Sequence, residues 1–154
     1  MKSKFIVLCA FICMIIQIPA TSFAQEGDFT GIWNCRAIFH YSNVPFGRDQ
    51  KFRCKLHLYK VGSKYLAVLI AKNGYNISIG NKVPGKVVFD NSTIKPNGSG
   101  GLQMHEVWVD INDNIVGSVQ KTGTWPAGEL IMGRHRPTDG KYDDLVKKYL
   151  LHTK

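Results

Sequence analysis

Two cysteines, Cys35 and Cys54, carry the most distinctive chemistry in this 154-residue sequence. The other two cysteines lie within an apolar N-terminal run that we expect to be removed on export. Outside the cytoplasm a single pair of cysteines usually forms a disulfide. We therefore predict a Cys35–Cys54 bridge, which would stabilise the fold by about 3 kcal/mol in the chain-entropy model. Such a bridge leaves no free thiol for nucleophilic catalysis.

Basic side chains accompany both cysteines, in a chain whose formal net charge of +9 favours anionic partners. Those on the polar side of two alternating segments are Arg36, Arg53, Lys55 and His57. If the segments pair, these residues form a basic sheet face that can bind phosphate or sulfate groups, or an acidic protein. The alternative is a solvated face that serves solubility. Aromatic residues do not interleave with these charges, so nucleic acid is not an expected partner.

Catalytic and metal-binding motifs are absent from the sequence. The five histidines form no His-x-His or His-Glu-x-x-His pair, so we expect no metal. His105 and Glu106 are adjacent in a predicted strand, which directs their side chains to opposite faces. No Gly-x-Ser-x-Gly, phosphate-loop or Cys-x-x-Cys motif occurs. We therefore predict no catalytic residues and no cofactor, and an enzyme is the least favoured interpretation.

The N-terminus resembles a secretory signal. Two lysines precede the apolar run Phe5–Ile18, and Ser22 and Ala24 place small residues at a cleavage site. The run of about 14 residues is shorter than the roughly 20 that a membrane span needs. We predict that residues 1–24 are removed and that residues 25–154 fold as one domain. The mature protein is then periplasmic or secreted, without a transmembrane anchor.

Alternation of apolar and polar residues predicts about eight short strands in the mature chain. In the first two strands, Cys35 and Cys54 fall on the apolar faces. The third strand is apolar on both sides, as expected either of a strand buried on both faces or of one whose outer face is covered by a partner. The predicted strands are Ile32–Phe39, Lys51–Lys60, Lys64–Ala71, Tyr75–Ile79, Lys86–Asp90, Leu102–Ile111, Ile115–Gln120 and Glu129–His135.

The C-terminal segment has the periodicity of an amphipathic helix, for which Thr138 or Asp139 is the expected N-cap. Its apolar positions are Tyr142, Leu145, Val146, Tyr149 and Leu150. Connections between the strands are mostly too short for crossovers, so the sheet should be antiparallel. We predict an all-β fold, namely a single antiparallel up-and-down barrel of about eight strands followed by a C-terminal α-helix.

The tripeptide Gly31-Ile32-Trp33, at the head of the first strand, resembles the Gly-x-Trp signature of lipocalins and the wider calycin group. In that group the tryptophan closes one end of the barrel, and an arginine from the last strand lies across its ring. The resemblance implies a calycin-like barrel in which Trp33 is structural and Arg134 is its cation–π partner. A core tryptophan in a β-sandwich is the alternative.

A small barrel either holds one ligand or is filled by side chains. The side chains predicted to line a cavity are Phe39, Leu56, Leu58, Tyr65, Leu69 and Trp108. An apolar pocket of this kind favours a hydrophobic small molecule. We therefore expect an exported, monomeric binding protein for such a ligand. The alternative is an interaction or inhibitor module that uses its basic sheet face and loops against an anionic envelope or glycan partner.

Overall fold

The computed structural model describes residues 28–40, 49–72, 74–90, 102–121 and 128–151. The predicted signal peptide lies outside these ranges. Within them, no helix combines the length and the apolar character that crossing a membrane requires.

The described strands form one closed antiparallel barrel. Each strand pairs with the next in the chain, and the eighth pairs with the first. The strands are β1 (Gly31–Phe39), β2 (Gln50–Val61), β3 (Lys64–Ala71), β4 (Gly74–Val83), β5 (Lys86–Phe89), β6 (Leu102–Val109), β7 (Ile115–Lys121) and β8 (Gly128–Arg136). A short helix, α1 (Asp143–Val146), continues into a π-helical segment, Lys147–Leu151, and we call the two together the C-terminal helix. The predicted fold class is confirmed.

Most strand ends differ from the prediction by a residue or two, and β4 differs most. It continues past Ile79 to Val83, because Asn81 and Lys82 pair with β5 before the turn. These polar residues lie at the end of the strand, where alternation gives no signal. The strand β6 ends early, at Val109, because the Asp110 carboxylate accepts hydrogen bonds from backbone N–H groups of the following turn.

The inner faces of the strands supply one apolar core. The predicted alternation of the first two strands is confirmed, since Cys35 and Leu56 face this core while Arg36 and Arg53 are exposed. Burying each large apolar side chain contributes about 1.5–3 kcal/mol, so this layer dominates the stability of the barrel. Its almost inaccessible side chains include Phe29, Phe39, Leu56, Leu58, Tyr65, Met104, Val107 and Leu130.

The C-terminal helix explains why β3 is apolar on both faces. Leu66 and Val68, on the outer face of β3, are fully buried together with Ile77 of β4. Leu150 of the helix belongs to the same cluster. The partner that covers the outer face of the third strand is therefore the helix itself, and its apolar face is the predicted one.

The predicted N-cap is wrong. The capping position is Tyr142, which makes no side-chain capping bond. The Asp139 carboxylate instead accepts a hydrogen bond from the Lys141 N–H at 3.2 Å, two residues along the chain. The carboxylate therefore closes a local turn before the helix, and the helix depends on tertiary packing rather than on a cap.

Candidate functional site

The predicted cavity-lining residues lie in the core, yet most of them have no open space beside them. Phe39, Leu56, Leu58 and Tyr65 have 0% of their surface accessible, and Leu69 has 2%. A cavity large enough for water would leave part of that surface accessible. In the described part of the barrel these five side chains therefore pack against one another and their neighbours rather than around a ligand-sized void.

Trp108 is a correction to the predicted set, because it faces outwards. The pairing of β6 with β7 shifts register between Met104 and Glu106, which places one extra residue on β6. Such a bulge inverts the alternation beyond it, so Val107 turns into the core and Trp108 turns away. Trp108 lines a shallow outer cleft of about 350 Å³ beside the ion pair of Lys86 and Glu106, whose Nζ and Oε1 atoms are 2.7 Å apart.

Trp33 is buried at one end of the core, as predicted, but its ring partner is His135. The two ring centroids are 4.2 Å apart at an angle of 38°, and the indole N–H donates to the Phe29 carbonyl at 3.1 Å. The pairing of β1 with β8 shifts register between Trp33 and Cys35, so the extra residue on β8 brings His135 opposite Trp33. Arg134 is exposed on the outer wall instead.

Gly31 is required where the chain enters this end of the barrel. Its φ is 129°, and a side chain there would collide with the His135 ring and approach the Arg136 carbonyl oxygen to 2.9 Å. His135 in turn donates from Nε2 to the Thr30 carbonyl at 3.0 Å. The glycine of the Gly-x-Trp signature thus makes room for the ring that covers the tryptophan.

The two cysteines are direct cross-strand neighbours, but the predicted disulfide is not formed. Cys35 and Cys54 pair across β1 and β2, and both are free thiols. The Cys35 thiol is directed to the backbone of its own strand and to β8 instead. The Cys35 Sγ atom lies 3.4 Å from the Trp33 carbonyl oxygen and 3.5 Å from the Met132 Sδ atom.

Three arginines meet on the outer wall where β2, β1 and β8 run side by side. Arg36 and Arg53 are opposite each other across β1 and β2, and Arg134 comes from β8. They surround a cleft of about 580 Å³, which we call the arginine cleft. Its lining residues are Asn34, Cys35, Arg36, Arg53, Cys54, Ile131, Gly133 and Arg134.

The arginine cleft has unbalanced positive charge. Among the residues that the structure describes, none of its three guanidinium groups forms an ion pair with a carboxylate, and no acidic side chain lines it. Like charges placed directly opposite each other destabilise a sheet, so Arg36 and Arg53 together cost stability until an anion lies between them. Guanidinium forks match phosphate, sulfate and carboxylate groups, so the cleft has the chemistry of an anion site.

The structure brings together Arg36 and Arg53 of the predicted anion-binding set, but it separates His57 from them. Lys55 is half-buried and pairs with Asn34, which lines the cleft, so it extends the basic surface. His57 does lie on the outer face of β2, but only 2% of it is accessible and its ring meets Tyr142 edge to face at 5.0 Å. Its inclusion is therefore wrong, because the residues of the C-terminal segment cover it.

Burial gives His57 a pH-dependent role in stability. Desolvation lowers the pKa of its imidazole, and nearby Lys55 and Lys141 act in the same direction, while Asp139 opposes them. Its Nδ1 atom has no hydrogen-bond partner in the described part of the chain. The unfolded chain therefore takes up the proton first as the pH falls, so the stabilisation present above the ordinary pKa of 6.5 is lost as the pH drops towards the folded-state value.

Replacing His57 with phenylalanine is expected to remove this acid-side loss, because the ring keeps its packing and cannot be protonated. The measurement is the urea-unfolding free energy of wild type and variant at intervals from pH 8 to pH 5. Ile70 packs against the same outer cluster as the C-terminal helix and carries no titratable group, so Ile70→Val is the control and should keep the wild-type slope. Parallel curves for wild type and His57→Phe would contradict the assignment.

Sequence reasoning missed two residues of this region, Arg134 as part of the cleft and Met132 as a contact of Cys35. Both belong to β8, at the far end of the chain from β1. Only closure of the barrel brings them beside Arg36 and Cys35, and no local pattern reports that closure. Arg134 follows two residues after Met132, but no local pattern in the sequence shows that its side chain lies on the outer wall.

The fold and this region define a closed antiparallel β-barrel with a basic cleft on its outer wall. Comparison of the chain with protein-family models, with curated proteins and with solved structures found no match.

Proposed function

We propose that this protein is an exported β-barrel that binds an anionic partner through the arginine cleft, without catalysis. The observation that carries the proposal is the set of three exposed guanidinium groups of Arg36, Arg53 and Arg134, unpaired with carboxylates in the described part of the chain. Binding an anion offsets the repulsion between the opposed arginines, because the ligand supplies the negative charge that this part of the sheet lacks.

The size of the cleft favours a partner larger than a single oxyanion. A volume of about 580 Å³ lies in the range of sites that hold small organic ligands. Ile131 is 41% exposed and lines the same cleft, so it offers an apolar contact to a carbon skeleton between charged groups. A sulfated or phosphorylated glycan combines these features, and such polymers occur at the envelope or outside the cell, where the N-terminal segment 1–24 would direct the protein.

The test is binding of heparin, as the sulfated probe, to the mature chain with Arg36 and Arg53 both replaced by alanine. Each charge-assisted hydrogen bond contributes about 1.5–3 kcal/mol, so the double variant should bind at least about tenfold more weakly. Lys72→Ala combined with Lys147→Ala removes the same charge from exposed positions elsewhere and is the control. Dextran is the uncharged probe and should bind to none of the proteins. Equal losses in both double variants would mean that overall charge, not the cleft, drives binding.

A hydrophobic ligand inside the barrel is the second candidate, and one observation favours it. The Tyr65 hydroxyl is buried in the core and has no hydrogen-bond partner in the described part of the chain. Leaving such a group unsatisfied costs about 1–3 kcal/mol, which an acceptor on a bound molecule would recover once the side chains packed around Tyr65 move apart to admit it. Native mass spectrometry of protein from its exporting host tests this candidate, since a retained small molecule supports it and an unliganded mass counts against it.

Export, a monomeric state and a calycin-like origin complete the proposal. The lysines and apolar run before residue 24 support export. The buried Trp33 behind Gly31 at the head of β1 supports the calycin-like interpretation. The same native mass spectrum reports the cleavage position and the oligomeric state.

A further inference from the structure

Three sulfur-bearing side chains form one row across the barrel wall. Met132 of β8 pairs with Cys35 of β1, and Cys35 pairs with Cys54 of β2, so all three project to the inner side at the same level. The Cys35 Sγ atom is 3.5 Å from Met132 Sδ, and Cys54 is the direct cross-strand neighbour of Cys35. Two thiols and one thioether therefore lie side by side on the inner wall, with Cys35 in the middle.

We propose that Cys35, Cys54 and Met132 bind a single Cu(I) ion. Thiolate and thioether ligands are soft and select soft monovalent copper over harder ions. Metal–sulfur bonds of about 2.3 Å place the sulfurs of a trigonal site about 4 Å apart. The Cys35–Met132 sulfur separation of 3.5 Å is close to that value, and the flexible Met132 side chain can adjust it.

The side chains that most often bind metal ions do not cluster at this site, because one of its three proposed ligands is a methionine. In the described ranges, no three His, Cys, Asp or Glu side chains come close enough to hold a metal ion. The third donor here is a thioether, which lies outside that group. The histidine spacing in the sequence predicts no metal, and the copper site departs from that prediction.

Charge and oxidation state balance when Cu(I) binds. Binding releases two thiol protons to solvent and leaves two thiolates around one monovalent cation, a complex with one net negative charge in which copper is neither oxidised nor reduced.

Cys54 is only partly buried, so solvent and a metal ion can reach the cysteine pair from its side. The copper site goes beyond the proposed anion binding and depends on different atoms, namely sulfurs rather than guanidinium groups. The Arg36→Ala and Arg53→Ala double variant should therefore still bind one copper ion, whatever its affinity for heparin. Loss of heparin binding and loss of copper binding can therefore be measured independently of each other.

The experiment is an anaerobic titration of the reduced mature protein with Cu(I) against a chromophoric Cu(I) chelator. One equivalent should be withdrawn from the chelator, with a new ultraviolet sulfur-to-metal charge-transfer band. Cys35→Ser and Cys54→Ser should each abolish that binding, and Met132→Leu should weaken it at least tenfold. Met104 is fully buried in the same core, so Met104→Leu is the matched control and should bind as wild type does. Circular dichroism of each variant confirms folding before titration.

Three outcomes would overturn the copper site. The first is reduced wild-type protein that withdraws no stoichiometric copper from the chelator. The second is equal affinity of Met132→Leu and Met104→Leu. The third is protein from its exporting host whose intact mass shows every molecule to carry a Cys35–Cys54 disulfide, because an oxidised pair cannot supply thiolates.

Discussion

Replacing Trp33 with alanine is expected to lower the free energy of unfolding by about 3–5 kcal/mol, as for other buried aromatic residues. The indole is 8% exposed, packs in the core cluster with Phe29 and carries the His135 ring on one face. Its removal also leaves the Phe29 carbonyl without the N–H that now donates to it at 3.1 Å. Urea unfolding followed by far-ultraviolet circular dichroism measures the loss without relying on tryptophan fluorescence.

Trp108→Ala is the matched control, since it deletes the same side chain from the outer wall. Trp108 is only partly buried, so the expected loss is about 1 kcal/mol. A larger loss for Trp108→Ala than for Trp33→Ala would contradict the assignment of inner and outer faces. It would also mean that the bulge in β6 does not invert the alternation as described.

The strands of this barrel could be predicted because each is a local pattern. In the first two strands, the period of two alone placed Trp33, Cys35 and Leu56 inside and Arg36 outside. The doubly apolar third strand also fits a covering element, which is the C-terminal helix. Short connections then left little choice but an antiparallel order that closes on itself.

Two bulges account for the wrong predictions for Trp108 and Arg134. One extra residue in β6 sends Trp108 outwards, and one extra residue in β8 exchanges Arg134 for His135 beside Trp33. A bulge changes the pairing between strands without changing the composition of either strand. Alternation counted along one strand therefore fails beyond the bulge, although it is correct before it.

The candidate site depends on contacts between distant parts of the chain, which local patterns do not report. Arg134 joins Arg36 only when β8 closes against β1, and His57 leaves the basic surface only when the C-terminal segment covers it. The sequence thus predicted the two arginines of the cleft that lie on consecutive strands, Arg36 and Arg53, but not Arg134. The same closure brings Met132 to Cys35, which adds a third sulfur beside the cysteine pair.

Leu150→Asp is expected to destabilise the protein by about 3 kcal/mol or more, because it removes an apolar anchor and puts a carboxylate against a buried apolar face. Leu150 is 7% exposed and packs in the cluster that contains Leu66, Val68 and Ile77. The C-terminal helix would then leave the barrel rather than bury the charge, exposing the outer face of β3. Hydrogen exchange of the β3 amides and urea unfolding together measure both effects.

Leu151 supplies the control, because it is the same residue type one position along and is 57% exposed. Leu151→Asp keeps the composition and net charge of the Leu150→Asp variant, so its expected loss is within about 0.5 kcal/mol. Similar losses in the two variants would show that the helix does not present Leu150 to the barrel.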